Sequence, residues 1–122
     1  MRVNTLFSTN RRFKQVNDVH GHDAGDLELQ SLGRFLAEQV RHDDRVFRFG
    51  GEEFVMLLGG SDSAAFITRL QGDWAARGQL TTLSAGHAIH RRDDDPLATL
   101  KRADEALYRA KHAGRNRVEF AA

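Results

Sequence analysis

The order of periodicities along this 122-residue chain predicts an α+β fold, a mainly antiparallel central sheet flanked by helices. Three observations carry that prediction. Helical apolar stripes are interleaved with short strand-like runs. Two of those runs are joined by Gly50-Gly51, a hairpin signal. No GxxxxGK and no GxGxxG sequence is present, which removes the P-loop and Rossmann forms.

Taken in order, Val3 to Ser8 reads as a first strand. Leu29, Leu32, Phe35, Leu36 and Val40 recur at helical spacing and predict a helix over about 24–41 with one apolar stripe. Val46, Phe47 and Phe49, then Phe54 to Leu58, predict two buried strands joined by the glycine turn. Ser61 or Ser63 is placed to cap the next helix, whose buried face is Phe66, Ile67, Leu70 and Trp74, with Gly78 ending it. Leu80 to Ile89 alternates at period two, a strand. Asp95-Pro96 is a cap followed by proline at the first helical position, opening a helix that closes near Gly114. Arg117 to Phe120 is a short last strand.

Composition limits the function. One domain over 1–122 is the expectation from length. Hydrophobic residues make up 40% and charged residues 29%, an ordinary globular balance. A net charge of +1 lacks the basic excess of a nucleic-acid-coating protein. With no cysteine there is no disulfide, thiolate catalysis or cysteine-held zinc, which is compatible with a cytoplasmic location. The N-terminus has no apolar run long enough for a signal peptide or membrane span.

Three polar segments stand out. In RFGGEEFVML, residues 48–57, glycine supplies the tight turn and Glu52 and Glu53 follow it. The hairpin alone leaves two readings open, solvated turn residues or a pair of carboxylates for a magnesium ion in phosphate chemistry. In FKQVNDVHGHDAGD, residues 13–26, Asn17 lies in what reads as a polar loop before the helix and Asp26 in the helix's first turn. A carboxylate there is able to accept from the N1–H and N2 donors of guanine, which adenine lacks, and an amide is able to serve a purine edge. Loop and cap chemistry is the plainer account of the same residues. In ADEALYRAKHAGRN, residues 103–116, Lys111 and Arg115 are four apart at a helix end. They suit either a polyphosphate or the helix dipole.

Together FKQVNDVHGHDAGD, RFGGEEF, LSAGHAI and ADEALYRAKHAGRN resemble the GGDEF family of diguanylate cyclases, over Phe13 to Val118. The resemblance implies a ferredoxin-like, nucleotidyl cyclase palm-like fold. It implies a homodimer in which each protomer holds one GTP, and the two are condensed to cyclic di-GMP with release of pyrophosphate. It implies that Asn17 and Asp26 read guanine and that Gly50 and Gly51 let the nucleotide lie over the hairpin. Glu52 and Glu53 then hold Mg2+ or Mn2+, with Glu53 assisting the reacting hydroxyl. Lys14, Lys111 and Arg115, with the backbone near Phe13, hold the β- and γ-phosphates. Arg41-His42-Asp43-Asp44 matches the family's Arg-x-x-Asp product-inhibition site, five residues before the glycine pair. A sensory domain or a partner protein is the implied source of the input signal.

The sequence departs from the family pattern at Thr9 and Arg11, which stand where an Asp-x-Asp run is usual, the first aspartate being a metal ligand. A second alignment matches TLFSTNRRF to a family segment that normally lies one helix and one strand earlier. On that alignment the first helix and first strand are lost, and the N-terminal segment or a second chain supplies a replacement strand. Two function classes follow. One is a working cyclase. The other is a domain that binds GTP or cyclic di-GMP and regulates. Among lesser features, His20 and His22 read as loop residues, Asp93-Asp94-Asp95 as a cap and solvated loop, and Trp74 as core.

Overall fold

The computed structural model describes residues 3–9, 13–21, 23–50, 52–59, 62–78 and 81–121, and gives only the backbone of residues 3–9, 13–16 and 50. The elements run β1 (Val3–Thr9), α1 (Phe13–His20), α2 (Ala24–Gln39), β2 (Arg45–Gly50), β3 (Glu53–Leu58), α3 (Ser63–Ala76), β4 (Leu83–Ile89), α4 (Pro96–His112) and β5 (Val118–Phe120). The sheet order is β2-β3-β1-β4-β5. The β1·β3, β1·β4 and β2·β3 pairs are antiparallel, and β5 joins β4 in parallel.

Strand β1 is therefore the centre of the sheet, with Leu6 opposite Val55 on one side and Gly86 on the other. Of the two sources of a replacement strand that the second alignment allows, the structure has the N-terminal segment itself, not a second chain, in the middle position. The reason is economy of hydrogen bonds: without β1, the facing edges of β3 and β4 would both be unpaired.

Period-two alternation sorts β3 into two faces. Phe54, Met56 and Leu58 enter the larger core with Leu29, Leu32, Phe35, Leu36, Ile67, Leu70 and Trp74 of α2 and α3. Trp74 is fully buried, its ring 5.2 Å from that of Phe35, as the sequence predicts. Val55 turns the other way, into a smaller core with Ala88, Ala103 and Leu107 under α4. There α4 comes so close to β4 that a Cβ at Gly86 would lie 2.0 Å from the Ala103 carbonyl oxygen and 2.3 Å from the Leu107 nitrogen.

Several boundaries differ from the sequence reading. Residues 13–20, read as loop, form a helix, since Phe13 and Val16 are spaced one turn apart and the polar residues between tolerate helix once α1 packs on α2. Helix α2 ends at Gln39 because Val40 turns extended. At the start of α3, Asp62 occupies the cap position without a side-chain cap bond, Ser63 is the first helical residue, and Ser61 lies outside the described residues. Strand β4 begins at Leu83, and Leu80 also lies outside the described residues.

Candidate functional site

The site is built around the β2–β3 hairpin. Phe49 and Gly50 end β2, Glu52 lies half-buried in the turn, and Glu53 opens β3 opposite Ser8 of β1 and Gly50 of β2. Gly51 lies outside the described residues. The pairing shifts between Arg48 and Gly50, an irregularity that re-aims the hairpin tip. Because β1 is antiparallel to β3, its C-terminal end at Thr9 reaches the same end of the sheet as Glu53.

The cation comes from α4. Asp95 accepts from the Leu97 amide at 3.1 Å and Pro96 sits in the first turn, so the helix starts where the sequence predicts. Its far end closes with the Arg115 amide donating to the Ala110 carbonyl at 2.9 Å around Gly114 at φ 115°, the Schellman arrangement. Basic residues fill the last turn, and Lys111 among them lies with Nζ 3.7 Å from Glu53 Oε2. Both side chains are about a quarter to a third exposed (26% and 32%). Such a pair in partial contact with water is worth under about 1 kcal/mol, and 3.7 Å is too long for a hydrogen bond. The Lys111 contact therefore does not use up the acceptor capacity of the Glu53 carboxylate. A cavity of about 440 Å3 adjoins it, lined by Phe49, Glu53, Leu97, Leu100, Lys101 and Asp104.

Arg115 is not on the helix. It lies beyond the closing turn at φ 63°, followed by Asn116 at φ 49°, two left-handed residues in succession. The four-residue spacing of Lys111 and Arg115 is therefore not a helical one, because the closing turn at Gly114 falls between them. The Asn116 amide donates to Ser84 Oγ at 3.2 Å, and its side-chain oxygen accepts from Gln71, which holds the strained pair against β4 and α3.

Asn17 lies near the end of α1. Its Oδ1 accepts from the Gly25 amide at 2.7 Å and so caps α2, where Asp23 at the cap position makes no side-chain cap bond. Its amino group is left to act as a donor. Asp26 is exposed in the first turn of the same helix. The structure thus brings Asn17 and Asp26 to one helix start, and Glu53 and Lys111 to one hairpin edge. The side chains of Phe13 and Lys14 lie outside the description.

The Arg41-to-Asp44 turn has a different character from its two ends. Asp44 is buried, accepting at Oδ2 from the Arg41 amide and at Oδ1 from the Gly59 amide, both at 2.9 Å. The Arg41 side chain is exposed and lies 3.4 Å from Asp62. Farther away, Asp94 accepts from the Arg91 amide at 2.8 Å and pairs with Arg102 at 3.0 Å. The bond from the Arg91 amide holds the Asp94 carboxyl below its ordinary range. His20 is exposed at the end of α1, His22 lies outside the described residues, and no group of three metal-binding side chains occurs among the described residues.

Lys101 and Asp104 were not singled out in the sequence. The signal was present, because Asp104 and Lys111 are seven apart and Leu97, Leu100 and Asp104 follow helical spacing on α4.

An antiparallel-centred α+β sheet with two carboxylates on a glycine hairpin and a lysine brought across to Glu53 is the arrangement of a nucleotidyl cyclase palm type of domain. Residues 2–117 match the family described as the diguanylate cyclase GGDEF domain, and the chain belongs to that family. It is 42% identical over 114 residues to the diguanylate cyclase DgcM of Escherichia coli K12, a match covering 88% of this chain and 28% of that protein. The chain thus spans under a third of the length of that relative. Its fold is similar to the crystal structure of the GGDEF domain of DgcB from Caulobacter crescentus in complex with c-di-GMP. The TM-score is 0.85 at 25% identity, with 98% of this chain and 77% of that one covered. It is similar also to the active GGEEF domain of a diguanylate cyclase from Vibrio cholerae, at TM-score 0.85 and 28% identity, covering 99% of this chain and 83% of that one. Among the described residues no helix is long and apolar enough to cross a membrane.

Proposed function

We propose that this domain condenses two GTP molecules into cyclic di-GMP, each 3′-hydroxyl attacking the α-phosphate of the other nucleotide as pyrophosphate leaves. A homodimer presents the two nucleotides to each other, one per protomer. The observation that carries this reading is the meeting of Glu53 and Lys111, 3.7 Å apart, at the tip of the glycine hairpin. It supplies a carboxylate and a cation at one edge, as phosphoryl transfer needs.

Asn17 and Asp26 select the base. With Oδ1 already taken by the Gly25 amide, Asn17 presents a donor, which meets the O6 acceptor of guanine. Asp26 is a solvent-facing acceptor for the guanine N1–H and N2 donors. The amino group that adenine carries in place of O6 would face the Asn17 donor, so both contacts discriminate the same way. Lys111 and Arg115, with Lys14 and the backbone at Phe13, neutralise the β- and γ-phosphates. Gly50 and Gly51 keep the turn low beneath the nucleotide.

The donor set fits a divalent metal such as Mg2+ or Mn2+. Hard carboxylate oxygens at Glu52 and Glu53, completed by substrate phosphates, are the ligands such an ion prefers, and the contact of Glu53 with Lys111 is too long to consume its acceptor capacity. When bound, the ion would stabilise charge on the reacting phosphate. Glu53 would also favour deprotonation of the attacking hydroxyl.

A second reading rests on Thr9. It ends β1 one residue after Ser8, the partner of Glu53, in the place where the family pattern has an acidic ligand. A neutral hydroxyl there weakens metal binding, and the domain then serves as a GTP or cyclic di-GMP receptor, with Arg41 as an exposed ligand for the product.

Incubation of the full chain at high concentration with GTP and Mg2+, then Mn2+, tests both. Products are separated by chromatography and identified by mass, beside a Glu52→Gln control. Cyclic di-GMP that disappears in the control is expected. If neither metal yields product, the catalytic reading fails, and titration with cyclic di-GMP then tests the receptor.

A further inference from the structure

We propose that the half of the sheet left uncovered by α4 is a contact surface for a second copy of this chain, in a two-fold dimer that forms without nucleotide. Such a dimer is independent of the reaction proposed above. Helix α4 packs on β4, β1 and β5. On that side no helix among the described residues covers β2 and the adjoining part of β3. Phe47, Phe49, Val55 and Leu57 form the floor of a groove of about 480 Å3, and Leu97 and Leu100 of α4 form its wall. Phe47 is 50%, Phe49 62% and Leu97 74% exposed. The second alignment loses one helix inside the chain, where residues 10–12 run directly into Phe13, and a fold with one helix fewer leaves one seat on its sheet open.

The shape of this surface selects a second copy. A low floor beside a raised helix is a step, and a step is complementary to itself under a two-fold rotation. Two strands about 4.8 Å apart give a floor about 10 Å wide, the diameter of a helix with its side chains. Each α4 then lies over the other copy's floor, and the exposed Leu97 of its first turn enters the other copy's groove. The two α4 helices run antiparallel across the axis. On the side of α4 that faces β2, Lys101 and Asp104 follow Leu97 and Leu100 and line the neighbouring cavity. Both are exposed and, among the described residues, neither has an ion-pair partner. Antiparallel helices set Lys101 of one copy against Asp104 of the other, twice over. A net charge of +1 leaves little general repulsion between copies.

The area suffices for such a contact. The exposed parts of Phe47, Phe49 and Leu97 come to about 350 Å2 per copy, at about 200 Å2 for a whole side chain. An interface is a little over half apolar, so two copies bury about 1,200 Å2 in all, the lower bound of stable specific contacts. Val19 on α1 and Leu27 on α2 are exposed too, but they lie on the opposite side of the sheet, and a dimer through them is the alternative that the test separates. Tyr108, farther along α4, already stacks on His112, ring centres 4.0 Å apart. Phe49, Leu97 and Leu100 line both the groove and the cavity beside Glu53, so the second copy would also wall that cavity.

Sedimentation equilibrium of the full chain without nucleotide, over about 1–200 μM, is expected to show a monomer–dimer equilibrium with a Kd of about 1–20 μM. Phe47→Asp and Leu97→Asp, at exposed positions where the circular dichroism of the dilute chain should not change, are each expected to raise that Kd about tenfold or more. Val19→Asp and Leu27→Asp should leave it unchanged. Lys101→Asp and Asp104→Lys should each weaken the dimer by about threefold to tenfold, and the double exchange should restore it. A chain that stays monomeric at the highest of those concentrations overturns the proposal. So does a dimer that is indifferent to Phe47→Asp and Leu97→Asp, or one that is lost with Val19→Asp or Leu27→Asp. A double exchange that restores nothing overturns the antiparallel arrangement of α4 and with it the self-complementary step.

Discussion

The Lys111 ammonium lies 3.7 Å from the Glu53 carboxylate and joins the last turn of α4 to the first residue of β3, residues that are 58 positions apart in the chain. The contact aligns the hairpin edge with the basic end of the helix before any nucleotide arrives. On the proposed reading, Lys111 would have only to turn from a loosely held carboxylate to a stronger anion when a polyphosphate binds. Lys111→Ala is expected to raise the KM for GTP and to lower kcat/KM about 10- to 100-fold, the usual cost of a lost charged contact. Steady-state cyclic di-GMP formation checks this. Unchanged kcat/KM would remove Lys111 from the site.

Asn17 caps α2 through its Oδ1 at Gly25, so the proposed base recognition by its amino group would be linked to folding. Asn17→Ala should lower stability by about 1 kcal/mol, a fall of roughly 3–6 °C in Tm, and weaken GTP binding about tenfold. Asn17→Asp keeps the cap but loses the donor. It should recover most of the Tm without recovering GTP affinity. Melting curves and GTP titration of the two variants separate the roles.

Arg41 and Asp44 should behave differently although they belong to one motif. Asp44→Ala leaves the Arg41 and Gly59 amides without their acceptor and should cost about 2–4 kcal/mol in urea unfolding. The Arg41 side chain forms only an exposed pair with Asp62, so Arg41→Ala should change stability by less than about 0.5 kcal/mol. Its effect should appear in cyclic di-GMP binding, weaker by about tenfold in calorimetry.

Gly86→Ala tests the closeness of α4 to the sheet. A single methyl there meets the Ala103 carbonyl and the Leu107 nitrogen, backbone atoms that cannot rotate away. A loss of about 2–4 kcal/mol is expected, with α4 displaced and the Lys111–Glu53 contact lengthened. Denaturant unfolding and cyclase assays read the two consequences.

His87 makes stability depend on pH. Its ring is buried, with Nε2 3.2 Å from Ser63 Oγ and Phe120 packed edge-on, and burial lowers its pKa below 6.5, partly offset by a backbone hydrogen bond. The unfolded chain then takes up the proton at higher pH than the folded one. The His87 contribution should be constant above about pH 6.5 and become increasingly unfavourable as pH falls from 6.5 toward the folded value. Unfolding free energies at pH 5.0 and 7.5 should differ less in His87→Gln than in the unaltered chain.

Much of this was legible because it is local. The apolar stripes of α2 and α4, the Asp95-Pro96 start, the Gly114 end and the glycine hairpin are each written in a few neighbouring residues, and the structure repeats them with boundaries moved by one to three positions. The polar segments marked the family because residue type and spacing survive without knowledge of contacts. What they did not mark was α1, whose eight largely polar residues are too few for a helical period to stand out from a loop.

Local sequence shows most of the helical residues that face inward, the course of α2 and α4, and which polar side chains belong to one family pattern, since periodicity and capping act over a single turn or strand. It misplaces Phe47 and Phe49, expected in a buried strand and found 50% and 62% exposed, because among the described residues no helix covers that side of β2. The tertiary structure alone makes β1 the central strand, brings Lys111 to Glu53 while Arg115 lies beyond the helix in a left-handed pair, sets two amides on Asp44 and leaves half of one sheet face open. Each of those depends on strand order and register, which are fixed by pairing residues far apart in the chain. Those pairings are set by the summed burial and hydrogen bonding of the whole sheet, and no short stretch of sequence carries them.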